Sequence, residues 1–492
     1  MGEESGSRRP RDGPWPDGMD GGPRPRRITD RVRARATARR ALLVALGVAA
    51  LAGPALAHGG ALAGGPRQTV HVPFWLFLMT SGGAVGASFI LASFATDRAY
   101  VRYIHDWRGH LSVGDLRHLA VAVGRVVGVL ALALVTVEAF VGPADADANV
   151  AVLATWVGWW AGLVVLTYLV GNAWPALSPW RALAAWLPKP TPRAYPEWLG
   201  AWPSVVALLG MIWLEVVSPA TAEPRVLGAV VVGYTVVTLA GAVVFGPDAW
   251  FERADPIDRV FRFYGRVAPL RWTDEGLSVA VYGSRLLEPG LVRGADDVAF
   301  VVALLWVTTY DGLVSSPTGV AAARAVVGAG VPPRLAYLAA LLCGFALFFG
   351  AYWLAAPIAR RTAPTYLSVA DLRYRFAPAL VPVAAGYHLA HYLAYALSFA
   401  PTLGAAFLHV LGVSAPATVL VLPAAVGVLS LASVLVGHWV GVWLAHATAF
   451  ESLPGRLQAV RSQYPFVAVM IAYTLVSMWV VSRPSLPLPY LG

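Results

Sequence analysis

Four side chains that can bind a metal or carry a proton lie within apolar stretches of this sequence. His388 and His391 are three residues apart in one stretch, His438 lies in the next, and Asp311 lies late in an earlier one. Residues three apart share a helix face, so the two histidines can face one ligand. Consecutive antiparallel helices joined by a short segment usually pack as neighbours. The spacing therefore predicts that His391, His438 and Asp311 lie close together.

The chemistry of such a cluster has three interpretations. Imidazole and carboxylate ligands suit Zn, Fe, Mn or Cu, with His388 as a further ligand. A bound metal would make His391, His438 and Asp311 catalytic, because it lowers the pKa of a bound water. We therefore expect a metal-dependent hydrolase. The same side chains could instead carry a proton or cation in a transporter, or merely hydrogen-bond neighbouring helices.

A second metal site is predicted near the start of the mature chain. Cleavage after Ala57 would expose His58 as the first residue, so that its amine and imidazole form a chelate. His71 would add a third nitrogen, a set that suits Cu(II). This site fits a non-catalytic factor that handles metal or assists another complex.

The elements that position these residues follow from composition. The chain has 492 residues, of which 58% are hydrophobic and only 13% charged, with a mean hydropathy of +0.62. Its apolar residues come in runs of about 20, the length that crosses a bilayer. The sequence predicts an all-α polytopic membrane bundle of ten spans, at 72–94, 118–142, 150–170, 198–217, 226–246, 298–316, 334–357, 377–400, 420–447 and 465–482.

The N-terminal region has a different composition. Residues 1–40 hold 11 of the 37 Lys and Arg residues and almost no large apolar ones, which predicts a disordered cytoplasmic tail. Residues 41–57 combine a basic flank, an apolar core and an Ala-x-Ala ending, the pattern of a signal peptide. The basic region is unusually long, so an uncleaved signal anchor is the alternative. Residues 58–492 form the predicted transmembrane domain.

Basic residues in the loops predict the orientation in the plasma membrane. The loops at 95–117, 171–197, 247–297, 358–376 and 448–464 hold 20 Lys and Arg residues, so we place them in the cytoplasm. The residue 58 region and the C-terminus are then outside, and Asp311, Glu138 and Glu215 lie towards that outer side. The loop at 247–297 is the largest, and its alternating stretch from Leu277 to Tyr282 predicts small strands or an interfacial helix.

Several classes of function are excluded or disfavoured. The net charge of +10 lies mainly in the tail and short loops, which indicates topology and a lipid bilayer as partner rather than nucleic acid. The single cysteine, Cys343, allows no intramolecular disulfide. There is no Walker A, Gly-x-Ser-x-Gly, His-Glu-x-x-His or Cys-x-x-Cys-His motif, which disfavours an ATP-driven pump and a serine hydrolase.

The segment at 171–181 has two prolines and two tryptophans. It predicts a short surface or re-entrant helix, capped by Ser178 and with Pro179 in its first turn. Anchoring at the membrane surface is the favoured role, and substrate gating is the alternative.

A series of short motifs, in this order, resembles a family of bacterial and archaeal membrane proteins often labelled fenitrothion hydrolase. The motifs extend over about residues 55–482: Gly171-Asn-Ala-Trp174, Ser178-Pro-Trp-Arg-Ala-Leu183, Trp213-Leu-Glu215, Phe245-Gly-Pro-Asp-Ala-Trp-Phe-Glu-Arg253, Tyr310-Asp-Gly312, Ala390-His-Tyr392, Gly437-His438, Ala445-His446 and Arg461-Ser-Gln-Tyr-Pro465. The label implies hydrolysis of an organophosphate triester, which we do not carry over as the physiological reaction. The resemblance implies phosphoester-like substrates for the expected hydrolase, whose metal would polarise a phosphoryl oxygen. The resemblance points to His391 rather than His388, and to Asp311, His438 and His446, without assigning them catalytic roles.

Overall fold

The structure is a computed structural model that describes residues 74–112, 116–187, 192–274, 276–481, 483 and 486–490. The predicted tail, the signal segment, His58 and His71 lie outside these residues. The main helices are α1 Phe74–Ser93, α2 Arg98–Asp106, α3 Leu116–Val141, α4 Val150–Leu169, α5 Pro179–Trp186, α6 Trp202–Val217, α7 Pro224–Phe245, α8 Pro256–Gly265, α9 Ala295–Ser315, α10 Pro317–Gly328, α11 Pro333–Thr362, α12 Val369–Phe376, α13 Val381–Val410, α14 Ala424–Ser452 and α15 Arg456–Val481.

The long helices follow the apolar runs of the sequence. Within the described residues, eight of them are long and apolar enough to cross a membrane, as expected of a multi-pass, all-α membrane protein. The predicted spans at 72–94 and 198–217 hold α1 and α6, which are apolar helices outside that set of eight. The count of ten spans therefore stays a prediction.

The loops predicted to be cytoplasmic meet at one end of the helices, which we call the arginine-rich end. Arg98 donates a hydrogen bond to the Leu453 carbonyl oxygen, and Gln458 donates one to that of Pro364. Gly171 forms a β-bridge with Leu270. Each contact joins two different loops of that set. The remaining helix ends form the opposite end, where Leu486 donates a backbone hydrogen bond of 2.7 Å to the Ser315 oxygen.

A three-stranded antiparallel sheet ties two of these loops together. Its strands are β1 Arg108–Leu111, β2 Leu270–Thr273 and β3 Gly276–Ala280, with β3 in the centre. Arg108 pairs with Ala280, and Leu270 pairs with Val279. Of the two alternatives for the alternating stretch, the structure has the strands, with β3 at Gly276–Ala280 and β2 before it; the helix α8 lies earlier in the same loop.

The predicted cap at Ser178 is confirmed. Its hydroxyl accepts a hydrogen bond of 3.3 Å from the Arg181 backbone N–H, and Pro179 begins α5. The Arg181 guanidinium then pairs with Asp258 on α8. The helix is thus fixed to the arginine-rich end.

Helices α13 and α14, which carry the predicted histidines, cross at two glycines. A Cβ atom on Gly386 would lie 2.6 Å from the Ser433 carbonyl oxygen, and one on Gly437 would lie 2.5 Å from that of Pro382. Ser433 also donates a hydrogen bond of 3.1 Å to the Gly386 oxygen. Such close backbone approach through small residues is typical of helix pairs in membranes. The crossing holds these two helices in a fixed register.

Helix α4 packs against α13 and contains an unusual wide turn. Residues Ala154–Leu163 form a π-helix of 10 residues within the longer α-helix. It places Trp160 next to α13, with its ring centroid 5.4 Å from that of His388. Because π-helical turns often occur at functional sites, the contact between α4 and α13 is a candidate location for such a site.

Candidate functional site

The structure brings together two of the three predicted cluster residues. His391 Nε2 on α13 lies 2.8 Å from Asp311 Oδ2 on α9. His391 is buried and Asp311 is mostly buried, with side-chain exposures of 8% and 21%. The Nε2 atom has no aligned hydrogen-bond partner among the described residues, so the contact is close without being a well-directed hydrogen bond. The pair lies within helices that are apolar enough to cross a membrane.

A second carboxylate lies next to this pair. Glu215 on α6 is partly buried and interacts electrostatically with Asp311. Both lie near the opposite end, because Glu215 is two residues from the end of α6 and Asp311 is four from the end of α9. Two like charges at this depth are costly unless protons or cations compensate for them. The arrangement therefore favours a site whose protonation can change.

Tyrosines extend the site towards the opposite end. Tyr395 lies one helical turn beyond His391 on α13, and its buried hydroxyl has no hydrogen-bond partner among the described residues. It interacts electrostatically with both Glu215 and Asp147. Asp147 is exposed in the loop before α4, where partial burial and the neighbouring Asp145 raise its pKa. A titratable group at the surface is thus linked to the buried carboxylates.

His388 extends the site towards the arginine-rich end. It is 1% exposed, and its Nδ1 lies 3.2 Å from the Tyr168 hydroxyl on α4. The ring of Tyr264, on α8, packs on both Tyr168 and His388 at centroid distances of 5.4 Å and 5.8 Å. His388 also interacts electrostatically with His391, one turn away. Its Nε2 atom has no hydrogen-bond partner in the described part of the chain.

We call this set of side chains the polar line: Asp147, Tyr395, Glu215, Asp311, His391, His388, Tyr168 and Tyr264. Direct contacts join Asp311 to His391, His388 to Tyr168, and Tyr168 to Tyr264. Glu215, Tyr395 and Asp147 are related to this set through electrostatic interaction.

His438, the third predicted residue, contacts a different helix. Its Nδ1 is 2.8 Å from the Val434 carbonyl oxygen, and its Nε2 bonds to the Thr474 hydroxyl on α15. His446 is bound in the same way, with Nε2 3.0 Å from the Ala95 oxygen. Both rings are fully buried. Since both nitrogens of His438 already have partners, the structure does not join it to the pair of His391 and Asp311.

With His438 bonded elsewhere, the predicted metal site has fewer ligands than the sequence suggested. Among the described residues, no group of three His, Cys, Asp or Glu side chains is placed to hold a metal ion. Catalytic zinc sites use three protein ligands and a water. The second predicted site, at His58 and His71, lies outside the described residues. Metal binding at either place stays a prediction.

Sequence reasoning missed most of the polar line. It placed Glu215 and Asp311 towards one side, but it did not pair Glu215 with Asp311 or identify Tyr168, Tyr264 and Tyr395. One signal was available, since Tyr395 is four residues after His391 and so belongs to the same helix face. The tyrosines on α4 and α8 had no comparable signal, because their proximity depends on tertiary packing.

A comparison of the chain with known protein families, with curated proteins and with solved structures finds no match. The resemblance to the fenitrothion hydrolase family therefore stays an expectation from the sequence motifs.

Proposed function

We propose that this membrane protein carries protons along the polar line as part of proton-coupled transport. The observation that carries the proposal is the contact of 2.8 Å between His391 and Asp311, inside helices that are apolar enough to cross a membrane. Ionisable groups at such depth are rare and commonly belong to ion or proton pathways. An imidazole carries one donor and one acceptor nitrogen, so it can receive a proton on one side and pass one on from the other.

The neighbours of this pair support a pathway rather than an isolated ion pair. Glu215 and Tyr395 lie on one side, while His388 and Tyr168 lie on the other. Hydroxyl and imidazole groups can both donate and accept hydrogen bonds, so each member can pass a proton on after receiving one. The unpartnered Nε2 atom of His388 and hydroxyl of Tyr395 are free to take part.

The metal-dependent hydrolase has less support from the geometry. It needs His391, His438 and Asp311 at one metal, whereas His438 bonds to Val434 and Thr474. The organophosphate reaction implied by the family label rests on sequence motifs alone. We therefore favour transport over hydrolysis.

The test is charge displacement after a pH step, measured on proteoliposomes adsorbed to a solid-supported membrane. Protons that enter the polar line cross part of the membrane, so a transient current is expected even without the coupled substrate. Asp311→Asn should abolish most of this current. Glu223→Gln is the matched control, because Glu223 is an exposed carboxylate at the opposite end whose side chain caps no helix.

Two results would count against the proposal. One is a wild-type protein, shown to be folded, that gives no transient current at any pH step between about 5 and 9, the range in which an imidazole titrates. The other is an equal current in Asp311→Asn and the wild type.

A further inference from the structure

The arginines at the arginine-rich end differ in whether carboxylates neutralise them. Among the described residues, eight ion pairs join an arginine to a carboxylate, and all of their members lie in the loops at 95–117, 171–197 and 247–297. The loops at 358–376 and 448–464 hold six arginines and two carboxylates, and they contribute none of these pairs. One half of this end therefore carries positive charge that ion pairs do not neutralise.

The two carboxylates of that half are directed elsewhere. Asp371 accepts hydrogen bonds from the Ser368 hydroxyl at 2.7 Å and from the Ser368 backbone N–H at 3.0 Å, which fixes the start of α12. Glu451 interacts electrostatically with Arg102 and Arg375. Neither carboxylate forms an ion pair with an arginine in the described part of the chain.

Four of the six arginines are exposed and free to bind a ligand. Of the other two, Arg373 stacks over Trp353, 3.7 Å from the ring centroid, and Arg375 donates a 3.4 Å hydrogen bond to the Ser452 hydroxyl. Within the described residues, the remaining side chains have neither an ion pair nor a hydrogen bond, and all of them are exposed: Arg360, Arg361, Arg456 and Arg461. Exposed guanidinium groups present planar donors that match the oxygens of a phosphate.

Helix packing brings two of these arginines to the same place. The Thr362 hydroxyl, at the end of α11, donates a 3.2 Å hydrogen bond to the Arg461 carbonyl oxygen in the first turns of α15. Gln458, also on α15, donates a hydrogen bond to the Pro364 carbonyl oxygen. Because Arg361 adjoins Thr362, the side chains of Arg361 and Arg461 start from neighbouring points on two helices. Their long, flexible stems allow both charges to reach one anion.

Each of these two arginines lies next to exposed apolar side chains on its own helix. On α11, Leu354 and Ile358 are 62% and 48% exposed and four residues apart, so they share a face, and Arg361 follows one turn later. On α15, Tyr464 is 47% exposed and lies one turn after Arg461. Both helices are long and apolar enough to cross a membrane. Apolar surface that ends in a cation repeats the order of groups in an anionic phospholipid, whose acyl chains end in a phosphate.

We infer that this surface, which we call the α11–α15 surface, binds an anionic phospholipid. The phosphate lies between Arg361 and Arg461, and the acyl chains lie on Leu354, Ile358 and Tyr464. The partner is a lipid rather than a soluble anion, because the charged and apolar parts of the surface are continuous. The inference stands independently of the proton pathway, since it uses none of the residues of the polar line.

Native mass spectrometry tests this inference by counting the phosphatidylglycerol molecules that the full chain retains from mixed micelles with phosphatidylcholine. One arginine near an anionic lipid surface strengthens binding by about fivefold, so Arg361→Gln and Arg461→Gln should each weaken retention by about that factor. The double variant should weaken it by more than about tenfold. Arg193→Gln is the matched control and should retain as much as the wild type. Arg193 is an exposed arginine without an ion pair at the same end, but its backbone bonds to Val244 of α7.

Three results would overturn the inference. Basic loops attract anionic lipids in general, and such an attraction alone would make Arg193→Gln as weak as Arg361→Gln and Arg461→Gln. Equal retention of phosphatidylglycerol and phosphatidylcholine by the wild type would show that the charge of the lipid is not recognised. An excess of glycerol 3-phosphate, which has the phosphate but no acyl chains, should leave retention unchanged. Displacement of the lipid by that compound would show that the apolar side chains take no part.

Discussion

The two buried histidines of α13, His388 and His391, and the two of α14 are alike in type and burial but differ in their partners. On α14, both nitrogens of His438 are bonded, and His446 contacts the Ala95 oxygen and Gln463. On α13, the Nε2 atoms of His388 and His391 have no aligned hydrogen bond among the described residues, and His391 faces Asp311. Burial alone therefore does not identify a functional histidine in this protein.

The difference lies in what the neighbouring helix offers. Opposite α14, the hydroxyl of Thr474 and backbone carbonyl oxygens satisfy the imidazoles, which then join helices together. Opposite α13, a carboxylate and a tyrosine hydroxyl face the rings, and these groups can exchange protons with them. The α14 histidines thus join helices together, whereas the proposed function gives proton transfer to His388 and His391 of α13.

The largest effect is expected when a histidine of the polar line is removed. His391→Asn should slow the charge displacement after a pH step by at least about 100-fold, the lower range for loss of an acid–base group. His446→Asn should leave the rate close to that of the wild type. Slow charge displacement in His446→Asn, or a wild-type rate in His391→Asn, would contradict the roles given to the histidines of the two helices.

A stability measurement should give the opposite order. His438→Ala should lower the free energy of unfolding by about 2–4 kcal/mol, because it leaves a cavity and removes the side-chain hydrogen bonds to Thr474 and Val434. His391→Ala also leaves a cavity but removes no well-directed hydrogen bond, so its loss should be smaller than that of His438→Ala by about 1–2 kcal/mol. Equilibrium unfolding in mixed micelles of a mild detergent and SDS measures both. Equal losses in the free energy of unfolding would show that His391 and His438 contribute equally to stability.

The crossing of α13 and α14 should also be sensitive to added volume. Gly386→Ala should destabilise the protein by about 1–3 kcal/mol, because its methyl group would collide with the Ser433 carbonyl oxygen. Gly404→Ala, on the same helix, has no atom within 4 Å of the added Cβ and should be neutral or slightly stabilising. The same unfolding assay compares them, and a neutral Gly386→Ala would mean that the helices can separate without loss.

His105 offers a third kind of histidine, with no hydrogen-bond partner for either ring nitrogen among the described residues. It lies on α2, outside the spans, and its ring stacks on Trp443 of α14 with centroids 5.9 Å apart. Burial lowers its pKa from 6.5 to about 4. The unfolded chain therefore binds the proton more tightly, so stability should fall as the pH drops from about 6.5 to 4.

The expected loss over that pH range is on the order of 1–3 kcal/mol. His105→Phe keeps the stacked ring and should remove this part of the acid dependence while leaving stability at pH 8 nearly unchanged. Thermal unfolding of both proteins between pH 4 and 8 tests it. An identical pH dependence in the two would show that His105 is already solvated or paired.

The sequence predicts the positions of the helices better than the contacts between them. Apolar runs locate the spans, and Ser178 with Pro179 locates the start of α5. The pairing of Asp311 with His391 was also predicted. His388 and His391 share a face only within about 60°, the angle between residues three apart, and that angle lets one contact α4 and the other α9. The contact of His438 with Thr474 depends on how α15 packs, which no local spacing encodes.

The small sheet at the arginine-rich end has a consequence for biosynthesis. Strand β1 is synthesised before α3, but its partner β3 begins only at Gly276, after the four apolar helices α3, α4, α6 and α7 have been made. At roughly 5–20 residues per second, synthesis of β1 precedes that of β3 by on the order of ten seconds or more. Pairing of β1 with β3 therefore requires that the intervening helices have already been synthesised, so the sheet is completed late relative to its first strand.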